Sequence, residues 1–229
     1  MKQLWLILLS CFLWTAFYTQ AVAQTSNNPI KSQAGINDPK AHEYLKQTRS
    51  WFQSCKSLKI QFTYRINSID KKSNFSNGNG NILIAGKMYR LQIKDQIIYC
   101  NGINLWIYNP TDEEVSINNY NPSDESLNPL SVITRYEKFY RAKYIRQETI
   151  AGKPRIIIDL LPLKASNFHK IRVYLTLADH RLYQMDMYTK NEQIYVYTLL
   201  NYQTNPPFSS ADFLFNTAKH PQVMINDMR

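Results

Sequence analysis

From residue 58 onward, apolar side chains fall at every second position. Leu58, Ile60, Phe62, Tyr64 and Ile66 share one face, and Lys59, Gln61, Thr63 and Arg65 take the other. That is the period of a half-buried strand. Just upstream the period is helical: Ala41, Tyr44, Leu45, Thr48, Trp51 and Phe52 recur on one side, and Asp38-Pro39 offers an N-cap followed by proline. The pattern predicts an amphipathic helix over 38–54. A polar stretch, 70–80, then reads as a hairpin connection. Strands follow over 82–85 and 87–93, with Gly86 marking a bend, and over 97–100, 103–108 and 114–120. Asn101-Gly102 and Asn109-Pro110 carry turn chemistry between them. The alternation breaks at a polar loop, 121–128, and Asn128-Pro129 reads as a second helix start, with a helix over 129–140. Leu130, Ile133, Tyr136 and Tyr140 line one side of it, with Phe139 beside them. Strands resume over 143–150, 156–161, 170–177, 182–189 and 194–202 before Pro206-Pro207 and a tail holding Phe213 and Phe215. Many short strands with one leading and one inserted helix predict a mainly β domain, a barrel or a strongly curved sheet.

The first residues follow a different logic. Lys2, the apolar run 4–17 and the small residues Ala21-Val22-Ala23 form a secretory signal peptide cleaved after Ala23, too short and too polar at its end to span a bilayer. A lipobox reading of Leu8-Leu9-Ser10-Cys11 leaves too short a leader before Cys11. Cleavage leaves a polar arm, 24–37, and one domain over 38–229, expected to be soluble. The net charge of +10 falls by one when Lys2 leaves. For an exported chain this points to an anionic membrane surface or an acidic partner rather than nucleic acid. The cations nonetheless alternate with apolar residues as on a solvated sheet face, which favours the plainer reading. Cys55 and Cys100 are the cysteines outside the signal. Export permits a bridge between them, and two separate thiols are the alternative.

Candidate chemistry is sparse. The histidines His42, His169, His180 and His220 show no metal spacing, and no cofactor is expected. Ser166, His169 and Asp159 make a triad only on paper, without a nucleophile elbow. Gly78-Asn79-Gly80 lacks the lysine and helix of a phosphate loop and reads as hairpin punctuation. Asp112-Glu113-Glu114 reads as a solvated turn. With 16 tyrosines and 10 phenylalanines, many at inward strand positions, an aromatic core or an aromatic-walled cavity is the more telling feature.

The order of these segments resembles the outer-membrane lipoprotein carrier family, the LolA family. The resemblance rests on Lys56 to Tyr64, Gly80 to Ile84, Lys87 to Leu91, the strand Gly102 to Pro110, Asn119-Tyr120, Tyr136-Glu137-Lys138, Ile158 to Pro162, Lys170 to Leu175 and Phe213-Leu214-Phe215. It implies an unclosed, strongly curved antiparallel β-barrel with a helical lid, at about 121–142, over an apolar cavity. It also implies a periplasmic, non-enzymatic carrier, expected to be a monomer. Such a carrier takes acylated lipoproteins from an inner-membrane ABC transporter and delivers them to an outer-membrane receptor or the membrane itself. Strand parity then assigns a cavity lining. Phe62 and Tyr64 come from the first strand, Ile84, Tyr89 and Leu91 from the next two, and Trp106 and Tyr108 from the Gly102 segment. Ile133 comes from the lid, Ile158 and Leu160, then Val173 and Leu175, from two later strands, and Met187, Tyr195 and Tyr197 from the last two. Neighbours such as Arg172 are expected to face solvent. Family members latch the lid with an arginine just after the strand matching Ile82 to Ile84. Here Ala85 and Gly86 stand there, with Lys87 and Arg90 nearest. The rival readings are a chaperone for another amphipathic cargo and a lipoprotein sensor, which needs a partner-binding domain for which this chain is short.

Overall fold

Asp38 starts the first helix by capping it. Its Oδ1 accepts hydrogen bonds from the Lys40 and Ala41 amides at 2.9 and 3.3 Å, and Pro39 follows where an amide N–H has no helical acceptor. Helix α1 (Pro39–Ser54) buries Ala41, Leu45 and Thr48, as its spacing predicts. The same cap fixes the helix in space. Asp38 Oδ2 accepts from the Tyr144 amide at 3.1 Å, and the Asp38 amide donates to the Ala142 carbonyl at 3.2 Å.

The computed structural model describes residues 38–68, 74–121 and 131–229. The signal peptide with Cys11, the arm 24–37, most of the loop 121–128, and Asn128-Pro129 with Leu130 lie outside the described residues. The strands are β1 (Leu58–Ser68), β2 (Asn74–Ala85), β3 (Met88–Ile93), β4 (Gln96–Cys100), β5 (Asn104–Asn109) and β6 (Glu114–Asn119). After α2 (Ser131–Phe139) come β7 (Tyr140–Ile150), β8 (Lys153–Pro162), β9 (Phe168–Thr176), β10 (Leu182–Thr189), β11 (Gln193–Thr204) and β12 (Met224–Asp227). Among the described residues they make one twelve-stranded sheet in the order β12-β6-β5-β4-β3-β2-β1-β11-β10-β9-β8-β7. Two antiparallel meanders thus meet where β1 pairs with β11, and the sheet ends at β7 and β12 without closing. The fold is the mainly β, unclosed curved sheet with two helices that the sequence predicts.

Bulges supply part of the curvature. Register slips between Gln61 and Phe62 opposite Asn201 and Leu199, which leaves Leu200 as the extra residue, 56% exposed. Further slips fall between Tyr144 and Arg146 and between Leu182 and Gln184. An extra residue bends its strand and increases local twist.

Three expectations need correction. Gly78 and Gly80 do not punctuate a hairpin but lie inside β2, opposite Tyr64 and Phe62 of β1. A Cβ on Gly80 would come within 2.6 Å of the Phe62 ring and 2.9 Å of the Gln92 carbonyl oxygen, so the missing side chain is the space the aromatic ring fills. The second helix ends at Phe139, and Tyr140 begins β7. The tail was expected only as an aromatic ending. It also adds β12, which pairs in parallel with β6.

Candidate functional site

The inner face of the sheet is one apolar cluster spanning β1 to β5 and β7 to β11. It gathers thirteen of the fifteen residues assigned by parity. Ile158, Leu160, Val173 and Leu175 are fully buried at its centre, with Ile158 opposite Val173. Phe62, Tyr89, Leu91, Ile133 and Met187 are also buried, and Tyr64, Ile84, Tyr195 and Tyr197 are half-buried at its border. Burial pushes the Tyr197 hydroxyl up to about 12, so it stays uncharged at neutral pH.

Trp106 and Tyr108 are the two exceptions. They face the other side of β5, where Tyr108, Val115 and Phe215 form a separate cluster with Trp106, Tyr99 and Ile97 against it. Leu105 and Ile107 take the inner positions, opposite Cys100 and Ile98. The segment Leu105-Trp106-Ile107-Tyr108 is apolar on both parities, so alternation alone could not choose a face. The deciding partner, Phe215, is remote in sequence. Its ring lies 5.0 Å from Tyr108, and His220 stacks on it at 5.0 Å with its Nδ1 3.2 Å from the Tyr108 hydroxyl.

The buried charges are out of phase with the inner residues. Asp159 lies between Ile158 and Leu160, and Asp186 between Met185 and Met187, so both point outward. Arg172 joins Asp159 through Nε at 2.6 Å and Nη2 at 2.9 Å, while Asp186 accepts from the Tyr174 hydroxyl and the Gln184 amide, each at 2.8 Å. Arg172 thus lies on the face opposite Val173, as expected, but as a half-buried, paired group rather than a free solvent-facing one. The same contacts dissolve the paper triad. Asp159 serves Arg172, His169 Nδ1 lies 3.2 Å from the Thr189 carbonyl oxygen, and Ser166 Oγ accepts from the Phe168 amide. In the acidic turn, Asn109 donates to Asp112, and Glu114 accepts from Asn226.

Two helices lie against the inner face. Thr48 Oγ1 of α1 donates to the His180 carbonyl at 2.7 Å, and Trp51 meets Tyr202 edge-on at 5.2 Å. Helix α2 buries Val132, Ile133 and Tyr136, while Phe139, half-buried, lies under the Arg135 guanidinium. Its polar fastening is to α1. Arg49 pairs with Glu137, and the Tyr136 hydroxyl lies 2.9 Å from His42 Nδ1. The hydrogen bond from Arg49 holds the Glu137 carboxyl below its usual range. Among the described residues, neither stand-in for the family's latching arginine joins α2. Arg90 lies beside Tyr99 on the outer face, and Lys87 is exposed at the edge of a crevice.

That crevice, about 360 Å³, opens between the end of α1, the β2–β3 hairpin and the start of α2. Phe52, Leu58, Ile84, Met88, Tyr89 and Tyr120 give it apolar walls. A second recess of about 510 Å³ is lined by Phe168, Met187, Tyr195 and Tyr197 with Thr189 and Lys190. Two of the predicted lining residues reach the first recess and three the second, while Ile158, Leu160, Val173 and Leu175 are fully buried. Phe52, Tyr120 and Arg135 were missed because strand parity assigns neither a helix residue nor a residue just past a strand end. Cys55 borders the crevice, Cys100 is buried, and both are free thiols.

A family model described as outer membrane lipoprotein carrier protein LolA matches residues 53–216. No curated protein matches the chain. Among solved structures, an uncharacterized conserved protein from Thermus thermophilus aligns with a TM-score of 0.56 at 8% identity, covering 82% of this chain and 99% of its own. A LolA superfamily protein from Nitrosomonas europaea aligns at 0.42 and 13% identity, covering 76% and 97%. The lipoprotein LppX of Mycobacterium tuberculosis aligns at 0.44 and 11%, covering 76% and 100%. The family match takes in α2 and the eleven strands β1 to β11, while all but the last two residues of α1, and β12, lie outside it. The chain belongs to the outer membrane lipoprotein carrier protein LolA family.

Proposed function

We propose that this protein is a periplasmic carrier that holds the acyl chains of lipoproteins between the two helices and the inner face of the sheet, and shuttles them from the inner to the outer membrane. Export with cleavage after Ala23, receipt from an inner-membrane ABC transporter and delivery to an outer-membrane receptor or the membrane itself belong to the same proposal. The observation that carries it is the segregation on the sheet. Apolar residues from β1 to β5 and β7 to β11 share the inner face beneath α1 and α2, while Asp159 and Asp186 lie on the other. Burial is worth ~0.8 kcal/mol per methylene, so one long acyl chain exposed to water forfeits on the order of 10 kcal/mol. A carrier needs a surface that recovers most of this and still lets go. Helix α2, nine residues long and held to α1 by polar contacts at its surface, is the element that moves in this reading.

The test is retention of a triacylated lipopeptide by the purified mature protein during gel filtration. Val173→Glu sets an unpaired carboxylate among apolar side chains and is expected to abolish retention, whereas Lys59→Glu, at an exposed site, leaves it intact. Where Val173→Glu loses its thermal transition, Tyr195→Glu at the edge of the second recess takes its place. A folded Val173→Glu or Tyr195→Glu protein that retains lipopeptide as well as the unaltered protein defeats the carrier reading. Native mass spectrometry of protein taken from its own envelope separates lipoprotein cargo from another amphipathic ligand.

A further inference from the structure

The crevice between the end of α1, the β2–β3 hairpin and the start of α2 has a chemistry that acyl-chain shielding does not require. Its floor is apolar: Leu58 is 3% exposed and Tyr89 2%. Among the described residues, the charged side chains in its lining are Lys87 and Arg135, both cations, with no carboxylate beside them. Neither joins any of the ion pairs formed among the described residues. Lys87 is exposed beside Gly86. Arg135 is positioned from behind, its guanidinium carbon 4.6 Å from the centre of the Phe139 ring. Its charge is also felt across the crevice. Burial raises the Tyr120 hydroxyl pKa, Cys100 adds to the rise, and Arg135 opposes both. One turn before Arg135, Ser131 Oγ is buried in the same wall without a hydrogen-bond partner among the described residues, although the Ser131 carbonyl accepts from the Thr134 hydroxyl at 3.1 Å. A buried hydroxyl without a partner costs stability unless something supplies one.

We propose that this crevice is a headgroup site for an anionic phospholipid-type amphiphile, with the phosphate between Lys87, Arg135 and the Ser131 hydroxyl and the acyl chain running inward past Tyr89 and Leu58. Two cations facing an apolar floor suit a ligand with charge at one end and hydrocarbon at the other. A guanidinium is fitted to phosphate oxygens, and 360 Å³ lies in the range of small-ligand clefts. The inference rests on the reading that the inner face accepts acyl chains, and it adds a ligand class, since shielding chains alone calls for no charge.

The experiment titrates the mature protein with lysophosphatidylglycerol, lysophosphatidylcholine and inorganic phosphate, each below any micellar concentration, following tryptophan fluorescence. The anionic lipid is expected to bind on the order of tenfold more tightly than the zwitterionic one, a preference that weakens as salt rises. Lys87→Gln/Arg135→Gln should bring the anionic lipid down to the affinity of the zwitterionic one. Lys87→Gln alone, which leaves the Phe139 contact in place, should lose part of the preference. Equal affinity of the unaltered protein for both lipids, or a preference that survives the double substitution, overturns the headgroup site while leaving acyl-chain binding standing. Phosphate binding as tightly as the lipid shows an anion site without an acyl component and overturns it too. Binding of neither lipid overturns this inference and the carrier reading together.

Discussion

Arg172 and Asp159 face each other across β9 and β8 with two donated hydrogen bonds at 2.6 and 2.9 Å. The aspartate is only 7% exposed, and the hydrogen bond to it is the largest of the causes that raise the Arg172 pKa. Removing the cation strands a buried carboxylate, which is costlier than never having built the pair. We therefore expect Arg172→Met to destabilise the protein by about 3 kcal/mol, and Arg172→Met/Asp159→Leu to recover most of that loss. Urea denaturation of both single variants and the double variant measures the coupling. A loss below about 0.5 kcal/mol in Arg172→Met would show instead that the pair behaves as a solvated surface pair. The residue is thus unsuitable as a neutral control for the inner face, although it directly precedes Val173.

Helix α2 is held by two kinds of contact with different sensitivities. Val132, Ile133 and Tyr136 are buried against the core, whereas Arg49 and Glu137 meet where their side chains are 23% and 38% exposed. An ion pair of that exposure is worth up to about 1 kcal/mol, so Arg49→Ala should raise local opening of α2 by about two- to fivefold without a large change in global stability. Amide hydrogen exchange of α2 against that of β8 checks this. Equal acceleration in both elements would mean that the pair supports the whole fold and not the helix. Acid should act through the same carboxyl. Its folded pKa is lowered, so its contribution is present above the unfolded value of about 4.3 and is lost as pH falls through the folded value. Chemical shifts of α2 amides should move below about pH 4, and Glu137→Gln should abolish that movement.

On the scale of the whole molecule, the C-terminal tail covers the outside of the sheet. Phe213 is completely buried against Leu83, Ala85 and Met88, and Phe215 packs on Tyr108 and Val115. Strand β12 extends the edge beyond β6, but all four of its residues are exposed. These two parts of the tail should differ sharply in energetic weight. Phe213→Ala is expected to cost about 3–5 kcal/mol, as for a fully buried aromatic ring, while deleting Met224 to Arg229 should cost less than about 1 kcal/mol. Denaturant melts of the two variants give the comparison. If deleting β12 costs as much as Phe213→Ala, the edge strand and not the aromatic cover closes the outer face.

What could be read from the chain alone was short-range. The Asp38-Pro39 cap, the helical face of α1, the alternation of β1 and β9 and the turn at Asn101-Gly102 depend on residues within a few positions of each other. Caps and strand parity act over those distances. The same rule placed Val173 and Leu175 on the inner face through the alternation of β9, and Ile158 and Leu160 on the parity opposite the charged Asp159. It could not orient Trp106 and Tyr108, whose strand is apolar on both faces and is settled by Phe215 across the tail. Nor could it see that Gly80 is the space under Phe62, that Arg172 has a buried partner one strand away, or that α2 is fastened to α1 through Arg49 and Tyr136. The crevice is the extreme case, since its walls come from a helix end, a hairpin, a loop and a second helix. Periodicity determines which side of an element is apolar, and only the tertiary structure decides what that side meets, because the partners are brought together by closure of long loops and not by neighbouring residues.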